Sequence, residues 1–135
     1  MKKKQGNIMD FLTILITITA MSFLVTAYLE CTNILMKKME ISQISRKYIL
    51  KMETDGYLTE PTRSELVREL SEAGLQQIDI SGTTLHPVSY GDAIYLKVTG
   101  NIQGRVVNVG DDLWKNGFLS TLLKVVEEKV STAKN

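Results

Sequence analysis

A run of nineteen residues without a charged side chain, from Phe11 to Leu29, limits what this chain can fold into more than any other feature. As an α-helix rising about 1.5 Å per residue, the run spans roughly 28 Å, close to the thickness of a bilayer's hydrocarbon core. Lysines at positions 2–4 precede it and Glu30 follows it. By the positive-inside tendency this predicts a single-pass cell-membrane protein with a cytoplasmic N-terminus and an exported remainder, although Lys37 and Lys38 lie on the exported side.

Other interpretations fit the run less well. A cleaved secretory signal has a shorter apolar core and ends in a small-x-small site, which this run lacks. A lipoprotein signal places a small residue before the cysteine, whereas Glu30 precedes Cys31. The buried core helix of a soluble protein is the remaining alternative.

Cys31 is the only cysteine, so an intrachain disulfide is impossible. Two roles stay open for it. It is either a small apolar residue in helix packing or one half of an intermolecular disulfide between neighbouring subunits.

The helical pattern continues past the apolar run. No proline occurs in residues 8–55, and the first glycine after Gly6 is Gly56, so we expect the helix to stop at Asp55-Gly56. Apolar residues recur at helical spacing and form one stripe, which we call the packing stripe: Ile34, Ile41, Ile44, Tyr48 and Met52. The stripe predicts an amphipathic extension that packs against the chain's own C-terminal domain or against neighbouring subunits.

These patterns divide the chain into four parts. Residues 1–6 form a basic cytoplasmic leader and residues 7–30 a transmembrane helix. Residues 31–56 form the amphipathic extension, and residues 57–135 an exported head. The predicted fold class is α+β, with two or three antiparallel strands and two further helices in the head.

The elements of the head are predicted from local signals. A capping box at Thr62–Glu65 starts a helix that Gly74 ends. Alternating apolar residues predict strands at 77–81 and 93–99, with 105–109 extending or pairing with the second strand. The glycines of 100–104 predict a hairpin turn or bulge. A stripe at helical spacing predicts a last helix over 113–129: Leu119, Leu122, Val126 and Val130.

Residues for catalysis are scarce. The chain has one histidine, His86, in a loop before a proline and without metal-ligand spacing around it. No glycine-rich phosphate loop is present, and Asp111 and Asp112 fit a helix cap better than a cation site. The near-neutral net charge of +1 gives no reason to expect nucleic acid. We therefore expect no enzyme activity, no cofactor and no metal, and membrane lipid as one partner.

Asp10 stands at the start of the apolar run, where hydrocarbon disfavours an unpaired acid. It lies either at headgroup depth, paired with Lys4 or the positive end of the helix dipole, or opposite a positive charge on another subunit.

The order of these features resembles a type IV prepilin-like protein. A basic leader ends in Gly6, Asp10 precedes Phe11, and an apolar helix leads into an extension containing Gln43 and Arg46. Within that superfamily, residues 1 to about 56 look most like the TadE-like minor pilins of tight-adherence (Flp-type) systems.

The resemblance implies a structural subunit, a minor pilin or pseudopilin, of a type IV or Tad-like pilus or secretion assembly. A prepilin peptidase would cut after Gly6 and leave Asn7 as the mature N-terminus. Asp10 would neutralise the N-terminal amine of an adjacent subunit; it would be the fourth mature residue, where the family usually has Glu fifth. Expected partners are other pilin-like subunits or copies of itself, the peptidase and an assembly platform. The alternative is a membrane-anchored extracellular binding module with no pilus role.

Overall fold

The computed structural model describes residues 5–107 and 118–134, with the side chains of 8–105 and 121–134. Its elements are α1 (Gln5–Asp55), α2 (Glu60–Glu72), β1 (Leu75–Asp79), β2 (Ala93–Val107) and β3 (Phe118–Thr132). The strands form one antiparallel sheet in the order β1-β2-β3. The fold class is α+β with one long N-terminal helix, as predicted. The first four residues, Asp111, Asp112 and Trp114 lie outside the described part.

α1 is a single helix of 51 residues that joins the apolar run to the amphipathic extension. Its sequence contains no proline and, after Gly6, no glycine, so nothing in the backbone interrupts it. It ends where Gly56 adopts a positive φ of 76° and its N–H donates to the carbonyl of Met52 at 2.7 Å. The predicted helix stop is confirmed.

α2 begins earlier than the capping box predicted. Its N-cap is Thr59, and the Thr59 hydroxyl donates to the Thr62 hydroxyl at 2.8 Å instead of capping the backbone. Pro61 lacks an N–H and suits the first turn, so the helix starts before it and Thr62 lies inside. Gly74 follows the helix with a φ of 90°, which confirms the predicted end.

β1 begins at Leu75, two residues before the predicted strand. It pairs Leu75 with Ile102 and Asp79 with Thr99, and the register shifts between Gln76 and Asp79, where Gln77 has a φ of 52°. The sheet is therefore irregular in β1, and not at the glycines of residues 100–104, where the sequence predicted a turn or bulge.

β2 runs unbroken through the glycines that predicted a turn. All fifteen of its residues pair in register with β3. A Cβ on Gly100 would lie 2.6 Å from Leu75 Cγ, and one on Gly104 would lie 2.8 Å from Ile34 Cδ1. The turn prediction was wrong because these glycines make room for apolar side chains of β1 and α1.

The predicted last helix is also wrong. Residues 118–129 of that helix lie in β3, and its start at 113–117 lies outside the described residues. Leu122, Val126 and Val130 are four residues apart, a spacing that places them on one face of a strand as well as of a helix. The described part of the head thus contains one further helix, not two.

The core lies between the sheet and the two helices. The inner face of the sheet contributes residues from all three strands, and α2 contributes Leu66 and Leu70. α1 closes the core along the packing stripe. On the outer face of the sheet, Tyr95, Leu122, Val126 and Val130 are exposed.

Candidate functional site

The first half of α1 is covered by no other part of the described chain. Its large apolar side chains from Ile8 to Leu29 are all exposed. By length and composition α1 is able to cross a membrane. Fourteen large side chains are involved, and at about 1.5–3 kcal/mol each, leaving them in water would cost on the order of 20–40 kcal/mol relative to burial. This surface therefore needs lipid or other helices around it.

The serine and threonine hydroxyls of this half have internal partners. Each donates to the backbone carbonyl four residues earlier, at 2.8–2.9 Å: Thr13, Thr17, Thr19, Ser22 and Thr26. Thr32, in the extension, makes the same bond. Hydroxyls bonded in this way can face hydrocarbon without an unsatisfied donor. The half thus presents an apolar surface despite its polar residues.

The predicted processing site lies within helix, since α1 begins at Gln5 and includes Gly6 and Asn7. Asp10 is exposed and has no ion-pair partner among the described residues; Lys4, its expected partner, lies outside them. Cys31 is a free, exposed thiol one residue after Glu30. Cleavage at Gly6, the charge pairing of Asp10 and a disulfide through Cys31 stay predictions.

The head covers the packing stripe in its own chain. Ile41, Tyr48 and Met52 are fully buried, and Ile44 packs against the core from its edge. Ile34 is half-buried, with its Cδ1 over Gly104. Of the two partners that the sequence left open, the head occupies this face.

A second apolar stripe on the extension faces away from the head. Leu35, Met39 and Leu50 are 56%, 62% and 52% exposed, and Met36 lies beside them. Their spacings of four and eleven residues fit one helical face, which Tyr28 continues back into the apolar half. We call this set the outward stripe. The same periodicity that revealed the packing stripe would have revealed it, but the sequence interpretation followed only one face.

Two ion pairs fasten α2 onto α1 around Tyr48. Lys47 Nζ lies 2.6 Å from Glu69 Oε1, and Lys51 Nζ lies 2.8 Å from Glu65 Oε2. Both ammonium groups also approach the Tyr48 ring, at 5.2 and 4.9 Å from its centroid. The two lysines lower the pKa of Glu69 and Glu65.

Tyr48 itself is buried beneath these pairs, and its hydroxyl has no hydrogen-bond partner among the described residues. Burial raises the pKa of Tyr48 well above its usual range, and the neighbouring carboxylates of Glu69 and Glu65 raise it further. The phenol thus stays neutral. The cluster holds two helices together and contains no free nucleophile or base.

Glu53 fastens the end of the chain to α1. Its carboxylate accepts hydrogen bonds from Lys134 Nζ at 2.6 Å and from the Ser131 hydroxyl at 2.5 Å. These bonds lower the pKa of Glu53. The Lys134 N–H also donates to the backbone carbonyl of Glu53 at 2.6 Å. The far end of β3 is therefore held against the far end of α1.

His86 is an exposed loop residue. Within the described residues, no group of three or more His, Cys, Asp or Glu side chains is placed to hold a metal ion.

Comparison with protein-family models, with curated proteins and with solved structures finds no match to this chain.

Proposed function

We propose that this chain is a structural subunit, a minor pilin or pseudopilin, of a type IV or Tad-like pilus or secretion assembly. α1 anchors it in the cell membrane, with the N-terminus cytoplasmic and the head exported. One observation carries the proposal: a single uninterrupted helix has a bare apolar half and then a half whose packing stripe lies under an α+β head.

The outward stripe supports assembly through the same helix. An anchor alone needs apolar residues only within the bilayer, yet Leu35, Met39 and Leu50 continue an apolar face beyond Glu30. Exposed apolar side chains in a row indicate an interaction surface. Other pilin-like subunits, or further copies of this chain, are the proposed occupants, and Asp10 is the proposed partner of a neighbour's N-terminal amine.

The first test is the intact mass and N-terminal sequence of the protein isolated from its native membranes. An N-terminus at Asn7 would establish processing by a prepilin peptidase and support the subunit role. A chain that still begins at Met1 would remove the role proposed for Asp10 and favour the binding module instead.

The second test is photo-crosslinking in the same membranes. A photoreactive residue at Met39, on the outward stripe, should crosslink to another subunit of the assembly. The matched position is Arg68, which is exposed on α2 and lies outside that stripe. Equal crosslinking from both positions, or none from Met39, would contradict assembly through α1.

A binding module is the second candidate because of the outer face of the sheet. Tyr95 pairs with Val130 across β2 and β3, and both are exposed, as are Val126 and Leu122 along β3. Such a row suits contact with a partner protein. An unprocessed N-terminus, together with loss of partner binding in a Tyr95→Ser/Val130→Ser variant, would place this function first.

A further inference from the structure

The β2–β3 hairpin runs nearly alongside α1. Gly104 of β2 lies under Ile34 at one end, and Ser131 of β3 bonds to Glu53 at the other. From Ile34 to Glu53 the helix rises about 28 Å. From Thr121, the partner of Gly104, to Ser131 the strand extends about 33 Å. Similar lengths between the two contacts mean that helix and strands differ only modestly in direction.

Both strands continue past the Ile34 contact toward the membrane end of α1. β2 ends at Val107, which pairs with Phe118, the first residue of β3. Three residues of strand add about 10 Å, which corresponds to six or seven residues of helix. The last described pair of the two strands, Val107 and Phe118, therefore lies level with Tyr28, inside the uncharged run.

A side-chain contact supports the same placement independently. Glu30, the first charged residue after the run, lines a notch together with Gln103, Gly104 and Arg105 of β2 and Lys37 of α1. Arg105 is exposed, and neither Arg105 nor Lys37 has an ion-pair partner among the described residues. Cationic side chains at the edge of a membrane direct their charges toward lipid phosphates.

We propose that the membrane-proximal ends of the described strands β2 and β3, with Arg105 and the adjoining notch, contact the lipid headgroup layer on the exported side. The proposal rests on the anchoring proposed for α1. Its partner is the headgroup surface of the bilayer that α1 crosses. With a second contact beside the point where α1 leaves the membrane, the head stands upright and cannot tilt freely toward that side.

The experiment measures membrane depth by spin labelling of the full chain in liposomes that contain anionic phospholipid. Cys31→Ser removes the native thiol, and single cysteines then carry a nitroxide at three positions. Arg105→Cys reports the proposed contact. Glu128→Cys is the matched control, because it is exposed on the same outer face, pairs with Lys97, and lies about 26 Å farther from the membrane along the strands. Val25→Cys reports the anchor.

Depth is read from the label's accessibility to oxygen, which concentrates in lipid, and to a water-soluble nickel chelate. We expect the label at 105 to show at least a twofold lower nickel accessibility than the label at 128. Equal nickel accessibility at 105 and 128, with the label at 25 protected, would overturn the headgroup contact and leave the anchor intact. A label at 25 that is open to nickel would overturn the anchor and this contact together.

Discussion

The two halves of α1 have the same backbone geometry and different surroundings. From Ile8 to Leu29 every large apolar side chain is exposed, whereas from Ile34 to Met52 the packing stripe is covered by the head. The first half forms no ion pair in the described part of the chain, and the second forms three with α2 and the C-terminal residues. Within the described residues, the head covers the second half, whereas the large apolar side chains of the first half stay exposed.

This difference shows that helix formation and helix burial are separate outcomes of the sequence. Backbone continuity needs only the absence of breakers from 8 to 55. The environment of each half depends on which residues alternate with the apolar ones. No charged residue interrupts the surface from Phe11 to Leu29, whereas charged residues alternate with apolar ones in the extension. A partner on one side therefore suffices for the extension, while the apolar half needs apolar surroundings on all sides.

The largest expected effect comes from charge placed in the apolar half. Leu15→Arg with Thr19→Arg puts two cations on one face near the middle of the run, at about 2.5–3.5 kcal/mol each for insertion. We expect the double variant to be extracted from membranes by alkaline carbonate, unlike the parent chain.

The matched control makes the same change in the extension. Met39→Arg with Gln43→Arg also places two arginines four residues apart at exposed positions of α1. This variant should stay in the membrane fraction. If both double variants stayed there, the apolar half would not be the anchor, and the contrast between the two halves would fail.

The next effect separates the packing stripe from the outward stripe. Ile41 is fully buried and Met39, two residues away, is 62% exposed. Ile41→Ala should lower the free energy of unfolding by about 2–4 kcal/mol through lost burial and an unfilled cavity. Met39→Ala should change it by less than about 0.5 kcal/mol.

Urea unfolding of the full chain in dilute detergent micelles, followed by circular dichroism, measures both changes. In concentrated proteoliposomes the two variants should differ in the opposite sense: Met39→Ala should weaken crosslinking between copies more than Ile41→Ala does. A loss of stability from Met39→Ala in dilute micelles would mean that the outward stripe is covered within a single chain.

The sequence was sufficient to predict the local elements. The 51-residue helix, the stop at Gly56, the end of α2 at Gly74 and the first part of β2 all follow from spacing and from glycine at helix ends. These signals lie within a few residues of the structure they predict, so no distant part of the chain is needed to interpret them.

The errors arose where distant residues decide the outcome. Val126 and Val130 fit a helical stripe in isolation, yet β2 offers fifteen pairing residues and β3 forms instead. Gly100 suggested a turn. In the fold, its lack of a side chain instead makes room for Leu75, which lies 25 residues earlier. The outward stripe was missed for another reason: the sequence interpretation followed one apolar face of the extension and did not examine the opposite one.

A smaller effect is expected at the junction between the halves, where Gly104 receives Ile34. Gly104→Ala places a Cβ within 2.8 Å of Ile34 Cδ1 and 3.0 Å of its Cγ1, and overpacking of this kind costs about 1–3 kcal/mol. In the Ile34→Ala background the same change should cost less than half as much, because the obstructing atoms are gone. Urea unfolding of the four chains tests this; strictly additive effects would mean that Ile34 does not pack on the strand.

The smallest effect is that of pH, and it concerns the extension alone. The pKa values of Glu53, Glu65 and Glu69 are lowered in the folded chain by their lysine partners, so the unfolded chain, with carboxyl pKa values near the usual value of about 4.3, binds more protons in acid. The stabilisation is present above that value and is lost as the pH falls below it.

The urea midpoint should therefore decrease modestly from pH 6 to pH 3. The decrease should be smaller at high salt, because the ion pairs are partly exposed, and smaller again after Glu53→Gln. Retention in the membrane fraction should not change over the same range, because the sequence has no Asp, Glu or His between Phe11 and Leu29. Loss of anchoring in parallel with the midpoint would show that head stability and membrane insertion are coupled, and that the two halves of α1 do not act independently.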